Sequence, residues 1–277
     1  MKHLKNAYLF LVFGILYIPI ITLILFSFNS SNSTAEFTGF SLYWYEELFS
    51  NKGEAFTALC NSLILAILSA LLSTLIGTAA AEGIYRMKSK FMKSMVTSVT
   101  NIPMMNPDIV TAMAMMLFFT AVMGMLKIEN KNDFGFITML IAHTTFCLPY
   151  VILSILPRIN ELGDSLLEAA LDLGCTPVQA FFKVKLPNIM PGVISGMIMA
   201  FTLSLDDFII SSFVAPTNFQ TLPLLIYSMT KKKVKPDMYA LSTIIIISVF
   251  VLLILSNLKS SGAASAQVKS KKKGGKH

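Results

Sequence analysis

Ser165-Leu166-Leu167-Glu168-Ala169-Ala170-Leu171-Asp172-Leu173-Gly174-Cys175-Thr176-Pro177-Val178-Gln179-Ala180-Phe181-Phe182-Lys183-Val184-Lys185-Leu186-Pro187 lies in the longest charged gap between the apolar runs of this chain. It reads as two short amphipathic helices joined at Gly174. Ser165 and Glu168 have the S-x-x-E spacing of a capping box, which would start the first helix. Gly174 suits the left-handed conformation that ends it. Thr176 and Gln179 form a second box, with Pro177 at the first helical position, where its missing N–H costs nothing. Neither helix is long enough to cross a bilayer, so the segment 158–189 around them is predicted to work outside the lipid.

Around that segment the chain is built for lipid. Hydrophobic residues make up 55% of it and charged residues 13%, against about 25% charged in soluble domains. A transmembrane helix takes roughly 20 mostly apolar residues. Six runs qualify, at about 7–28, 57–82, 95–126, 136–157, 190–215 and 239–258. The expected fold class is an all-α polytopic membrane protein, with residues 1–258 as one transmembrane domain. Residues 7–28 show no small-residue cleavage site and read as an uncleaved first span. The run 95–126 is too long for one straight helix. Asn106-Pro107-Asp108 looks like a helix start, so a break is expected near 103–107 and a new helix from Asp108 to about Met125.

Lys and Arg placement sets the expected orientation. With both termini inside, most of the 22 Lys and Arg residues fall on inner segments. They include Lys2, Lys5, Arg86, Lys88, Lys90, Lys93, Arg158, Lys183 and Lys185. This places residues 158–189 in the cytoplasm. Lys231, Lys232, Lys233 and Lys235 oppose the rule. The basic stretch 259–277, rich in Gly, Ser, Ala and Lys, reads as a disordered tail within reach of anionic lipid. Cys60, Cys147 and Cys175 are scattered and read as small core residues.

Acidic residues inside spans are costly and face a bundle interior or an aqueous path. Asp108, Asp206 and Asp207 are the candidates, and only one of the last two can face a path directly. The competing structural readings are a helix cap for Asp108 and a packing contact to Ser211 for Asp207. His143 reads as a satisfied core histidine. Trp44, the only tryptophan, reads as part of an interfacial aromatic belt or as a contact for substrate or a binding protein. Carboxylates and aromatic faces together suit a cationic solute. No G-x-x-x-x-G-K-[ST] phosphate loop occurs, so this chain has no such means of holding ATP. No Cys/His cluster suggests a metal.

The segment resembles the ATPase-docking loop of ABC-importer permeases, whose signature is Glu-Ala-Ala, three residues, Gly, nine residues, Ile, one residue, Leu-Pro. Glu168-Ala169-Ala170, Gly174, Val184 and Leu186-Pro187 match it, with Val184 in place of Ile. The likeness runs over nearly the whole chain to PotC-type permeases of spermidine/putrescine importers. Tyr17-Ile18-Pro19-Ile20, Trp44-Tyr45, Pro107-Asp108-Ile109-Val110, Leu203-Ser204-Leu205-Asp206-Asp207 and Leu222-Pro223-Leu224 carry it. The resemblance implies a type I importer permease (MetI-like) fold. It also implies a homologous second permease, an ABC ATPase dimer that binds ATP and Mg, and an extracytoplasmic polyamine-binding protein, all in a bacterial inner membrane. Glu168, Ala169, Ala170, Gly174, Leu186 and Pro187 would then meet the ATPase, and Asp108, Asp206, Asp207 and Trp44 the solute. An importer permease for another solute, and an ion-coupled transporter using Asp108, Asp206 and His143, are the other readings. The lysines at 231–233 depart from the family pattern and would repel a polycation.

Overall fold

Backbone N–H and C=O groups in lipid must be satisfied within the chain, which favours helices wherever an apolar run lacks a partner strand. The computed structural model describes residues 2–31, 36–50, 54–125, 135–216, 219–230, 239–244, 246, 247 and 250. Among them all regular structure is helical, apart from one isolated antiparallel bridge between Asn29 and Phe40. Five helical runs are long and apolar enough to cross a membrane. Of the sixth expected span, residues 239–244, 246, 247 and 250 are helical. The rest of it, the lysines at 231–235 and the tail 259–277 lie outside the described residues.

The chain divides into two units, Met1–Phe56 with Met229–His277, and Thr57–Ser228. In the first, α1 (Lys2–Phe26) is the N-terminal apolar helix and α2 (Tyr43–Ser50) is short. The turn between them is knitted by Asn29. Its amide donates to Glu36 O at 2.7 Å and its Oδ1 accepts from Thr38 N at 3.0 Å. Phe28 stacks on Phe40 with centroids 4.8 Å apart.

The second unit holds α3 (Glu54–Arg86) from Thr57 onward, α4 (Lys90–Met105), α5 (Asp108–Met125) and α6 (Phe136–Leu162), then α7 (Ser165–Asp172) and α8 (Pro177–Ala180). A π-helical turn, Phe181–Lys185, leads into α9 (Leu186–Asp206), followed by α10 (Ile209–Val214) and α11 (Leu222–Thr230). Its core is the α6–α9 seam. Val151, Ile155 and Ile159 of α6 and Ile189 and Ala200 of α9 are buried there, joined by Ile210 and Val214 of α10. A Cβ on Gly192 would come within 2.9 Å of Ser154 O and 2.8 Å of Arg158 Cγ, so the seam needs glycine at that crossing. On α5, Ala112 and Phe119 are buried, and this helix packs on α10.

Several expectations change. The run 95–126 is not one span. It divides at Asn106, as expected, but α4 begins at Lys90, has no buried residue, and is capped by Ser89 rather than continuing an apolar run. Only α5 in that stretch is apolar enough to cross. The run 190–215 is also not one helix. Helix α9 ends at Asp206, Asp207 is its extended C-cap, and α10 starts at Ile209. The second short helix of the charged gap is not separate. Residues Pro177–Asp206 form one 30-residue helical run with a π-turn inside it. An extra residue in a helical turn of this kind marks a local adjustment and recurs at functional sites.

Candidate functional site

The first candidate region is the segment between α6 and α9. The box predicted at Ser165 and Glu168 does not form. Asp164 is the N-cap, in a helical conformation with no side-chain cap bond, and Ser165 is already in the helix. The second box does form. Gln179 N donates to Thr176 Oγ1 at 3.4 Å and Thr176 N to Gln179 Oε1 at 3.1 Å. Gly174 takes φ +85°. Cys175 N donates to Ala170 O at 3.1 Å and Gly174 N to Leu171 O at 2.9 Å. Those two bonds are the Schellman pattern, and only glycine adopts its left-handed residue cheaply.

This geometry turns an apolar surface outward. Leu173 is 87% exposed, Val178 66% and Phe182 59%, with Leu166 and Leu171 also exposed. Glu168, Ala169 and Pro187 are exposed, Ala170 is buried beneath the turn, and Leu186 is half-buried against the core. An exposed apolar patch of this kind on a polar-rimmed loop marks an interaction site.

Beneath it lies a cluster that sequence reasoning missed. Lys185, counted only as one of the inner-segment lysines, is 1% exposed. Its ammonium sits 3.0 Å from Oε1 and 2.7 Å from Oε2 of Glu82 on α3. It also lies 4.4 Å from the centre of the Tyr85 ring, within cation–π range. Tyr85 donates its hydroxyl to Asp164 Oδ1 at 2.8 Å. The available signal was Ala79-Ala80-Ala81-Glu82, a lone carboxylate among small residues at the end of an apolar run.

The second candidate region is a buried polar chain at the α9–α10 break. Ser69 of α3 donates to Ser204 Oγ of α9 at 2.8 Å, and Ser204 Oγ lies 2.8 Å from His143 Nδ1 of α6. His143 Nε2 is 3.1 Å from Ser211 Oγ and 3.6 Å from Asp207 Oδ2. One neutral tautomer satisfies this order. Ser204, accepting from Ser69, gives its own proton to Nδ1, and the ring proton on Nε2 faces Ser211 and Asp207. The Asp207 carboxylate also accepts from Ile210 N at 3.2 Å and Ser211 N at 2.8 Å. It therefore caps α10, where the free N–H groups of a helix start favour a carboxylate. The break exists because Asp207 serves α10 instead of continuing α9.

The structure separates the predicted path residues by role. Asp207 is enclosed by its own backbone and His143. Asp206, the last residue of α9, and Asp108, the first of α5, are exposed. His143 is fully buried and bonded at both ring nitrogens, the core histidine expected. Trp44 does not offer its ring outward. It is buried, and its indole N–H donates to Asn29 O at 2.7 Å. The indole clamps the turn between α1 and α2.

Long apolar helices, an exposed apolar segment between two of them and a helix break lined by buried polar groups are the features of a polytopic membrane protein. Residues 73–259 match the family of inner membrane components of binding-protein-dependent transport systems, and the chain belongs to that family. It is 41% identical over 255 residues to the spermidine/putrescine transport system permease protein PotC of Haemophilus influenzae, covering 92% of this chain and 95% of that one. It is 38% identical to the PotC protein of Escherichia coli K12, over 93% and 94% of the two chains. The putrescine transport system permease protein PotI of the same strain is 39% identical over 86% and 84%. Among solved structures, a chain of a bacterial ABC transporter that imports the acidic polysaccharide alginate superposes with a TM-score of 0.70. It covers 94% of this chain and 96% of that one at 16% identity, a likeness of fold.

Proposed function

We propose that this chain is one of two permeases in an ATP-driven importer of spermidine or putrescine. The observation that carries the reading is the end-to-end likeness to permeases named for those polyamines. The exposed carboxylates of Asp108 and Asp206, at two helix ends within one unit, agree with it. They offer anionic acceptors to ammonium groups, and among the described residues no Lys, Arg or His is ion-paired with either. Asp207 contributes less directly, by holding the break that leaves Asp206 at a helix end.

The chain's part in the work is mechanical. An ABC ATPase dimer, which supplies ATP and Mg, would receive the apolar face of residues 165–187 in a groove, helix-in-groove fashion. Glu168 lies on the exposed side of α7 for that contact. A homologous second permease would supply the other half of the path, and an extracytoplasmic binding protein would deliver the solute. Both termini would lie in the cytoplasm. ATP hydrolysis by the reconstituted complex with its binding protein tests the substrate. Stimulation by spermidine or putrescine is expected. Stimulation by a different solute alone would replace the polyamine reading with the second one, an importer for another small molecule.

A further inference from the structure

We propose that Glu82 and Lys185, with Tyr85, form a strut that makes α3 move as one body with the coupling segment and carries its motion to the α9–α10 break. Glu82 and Lys185 are thus positioning residues for coupling. The proposal rests on the docking role of residues 165–187, not on the identity of the solute.

The geometry has three parts. First, α3 grips both ends of the segment. Tyr85 bonds Asp164, the N-cap of α7, at 2.8 Å, and Glu82 pairs with Lys185, the last residue of the π-turn. Glu82 and Tyr85 are three apart and so share one face of α3. Second, the grip is stiff. The Lys185 ammonium lies 2.7 Å from Glu82 Oε2 and 3.0 Å from Oε1, and it is covered by the Tyr85 ring at 4.4 Å. Separating the pair would strand the Lys185 ammonium in a poorly screening site, while Glu82 would keep only its pair with the more exposed Arg86. Well-packed apolar residues could hold two helices together as firmly, so a buried pair here serves geometry more than stability. Third, the same two helices are pinned again further along. Ser69 of α3 bonds Ser204 of α9 at 2.8 Å, about 20 Å up α3 at 1.5 Å per residue. Ser204 belongs to the His143–Asp207 chain that shapes the break. A push on α7 and α8 would otherwise be absorbed at the π-turn. With the strut it is delivered to α3, and through Ser69 to the break.

The test uses the assembled complex. The variants are the neutral pair Glu82→Gln with Lys185→Met, and the charge-keeping Lys185→Arg. Spin labels at Gly83→Cys and Asp172→Cys, both exposed positions, report the distance between α3 and α7, with Cys60, Cys147 and Cys175 replaced by serine. With the native pair, that distance is expected to stay fixed between nucleotide-free and ATP–vanadate-trapped states. In the neutral pair it should change by more than about 2 Å, the scale of helix shifts. Spermidine uptake by the neutral pair should fall at least about tenfold, or about 1.4 kcal/mol, while the ATPase still co-purifies. Lys185→Arg should retain most of the uptake. A fixed distance in the neutral pair, wild-type uptake by it, an equal loss in Lys185→Arg, or loss of uptake only in proportion to lost ATPase would each overturn the strut. If the wild-type complex takes up no spermidine, the polyamine reading fails and the distance measurement still decides the strut.

Discussion

At the segment between α6 and α9 Leu173 is 87% exposed and Phe182 59%, whereas at the α9–α10 break His143 and Ser211 are fully buried and hydrogen-bonded. Both regions interrupt apolar helices, and both owe their shape to a residue that ends a helix, Gly174 in one and Asp207 in the other. They differ in where the remaining interactions go. The segment satisfies its backbone with local caps and leaves Leu173, Val178 and Phe182 exposed. The break spends its side chains on itself, because no water is available in lipid to meet an unpaired polar group.

That contrast is easiest to break at the buried end. His143→Ala should remove two side-chain bonds and open a cavity, costing about 2–3 kcal/mol of stability. Thermal denaturation in detergent would check it, and an unchanged midpoint would mean that the break does not depend on its polar chain. Next comes Glu168→Lys, expected to lower uptake about tenfold, or about 1.4 kcal/mol, at unchanged protein level. Normal uptake with the ATPase bound would refute the docking role of α7. Asp206→Asn sits on the exposed side of the break and should cost less, a loss of about fivefold or 1 kcal/mol in polyamine uptake per folded complex. An Asp206→Asn complex with full uptake would make the residue structural. The smallest effect belongs to Thr176→Ala, which deletes half of a capping box worth about 0.5–1 kcal/mol. It should speed amide exchange at Gln179 and leave exchange around His143 untouched. Equal acceleration in both regions would show that they are not independent.

Much of this was legible in the chain because it is local. The Thr176–Gln179 box, the turn at Gly174 and the break at Asn106 follow from a few neighbouring residues whose preferences agree. The Ser165–Glu168 box failed although its pattern was equally clear, since Asp164, tied to Tyr85, takes the N-cap position one residue earlier. The burial of Lys185 was hidden for the same reason: its partner Glu82 lies on another helix, far away in sequence. Trp44 was read by its expected place at an interface, and the carbonyl of Asn29 that claims its N–H could not be located from spacing alone. Asp206 and Asp207 looked alike as neighbours in an apolar run. Only the start of α10 and the side chain of His143 tell them apart.

The amino-acid order by itself determined that the chain is all-helical and rich in apolar spans, that one helix starts at Asp108, and which short segment between the spans is charged and turns at Gly174. Those outcomes depend on hydrophobic length and on caps, which act over a turn or two. Tertiary structure alone decided which charged and polar groups are spent inside: Lys185 on Glu82, and His143 and Asp207 on the break. Whether a polar side chain ends up in solvent or in the core depends on a partner brought near by packing, and no local rule records who that partner is.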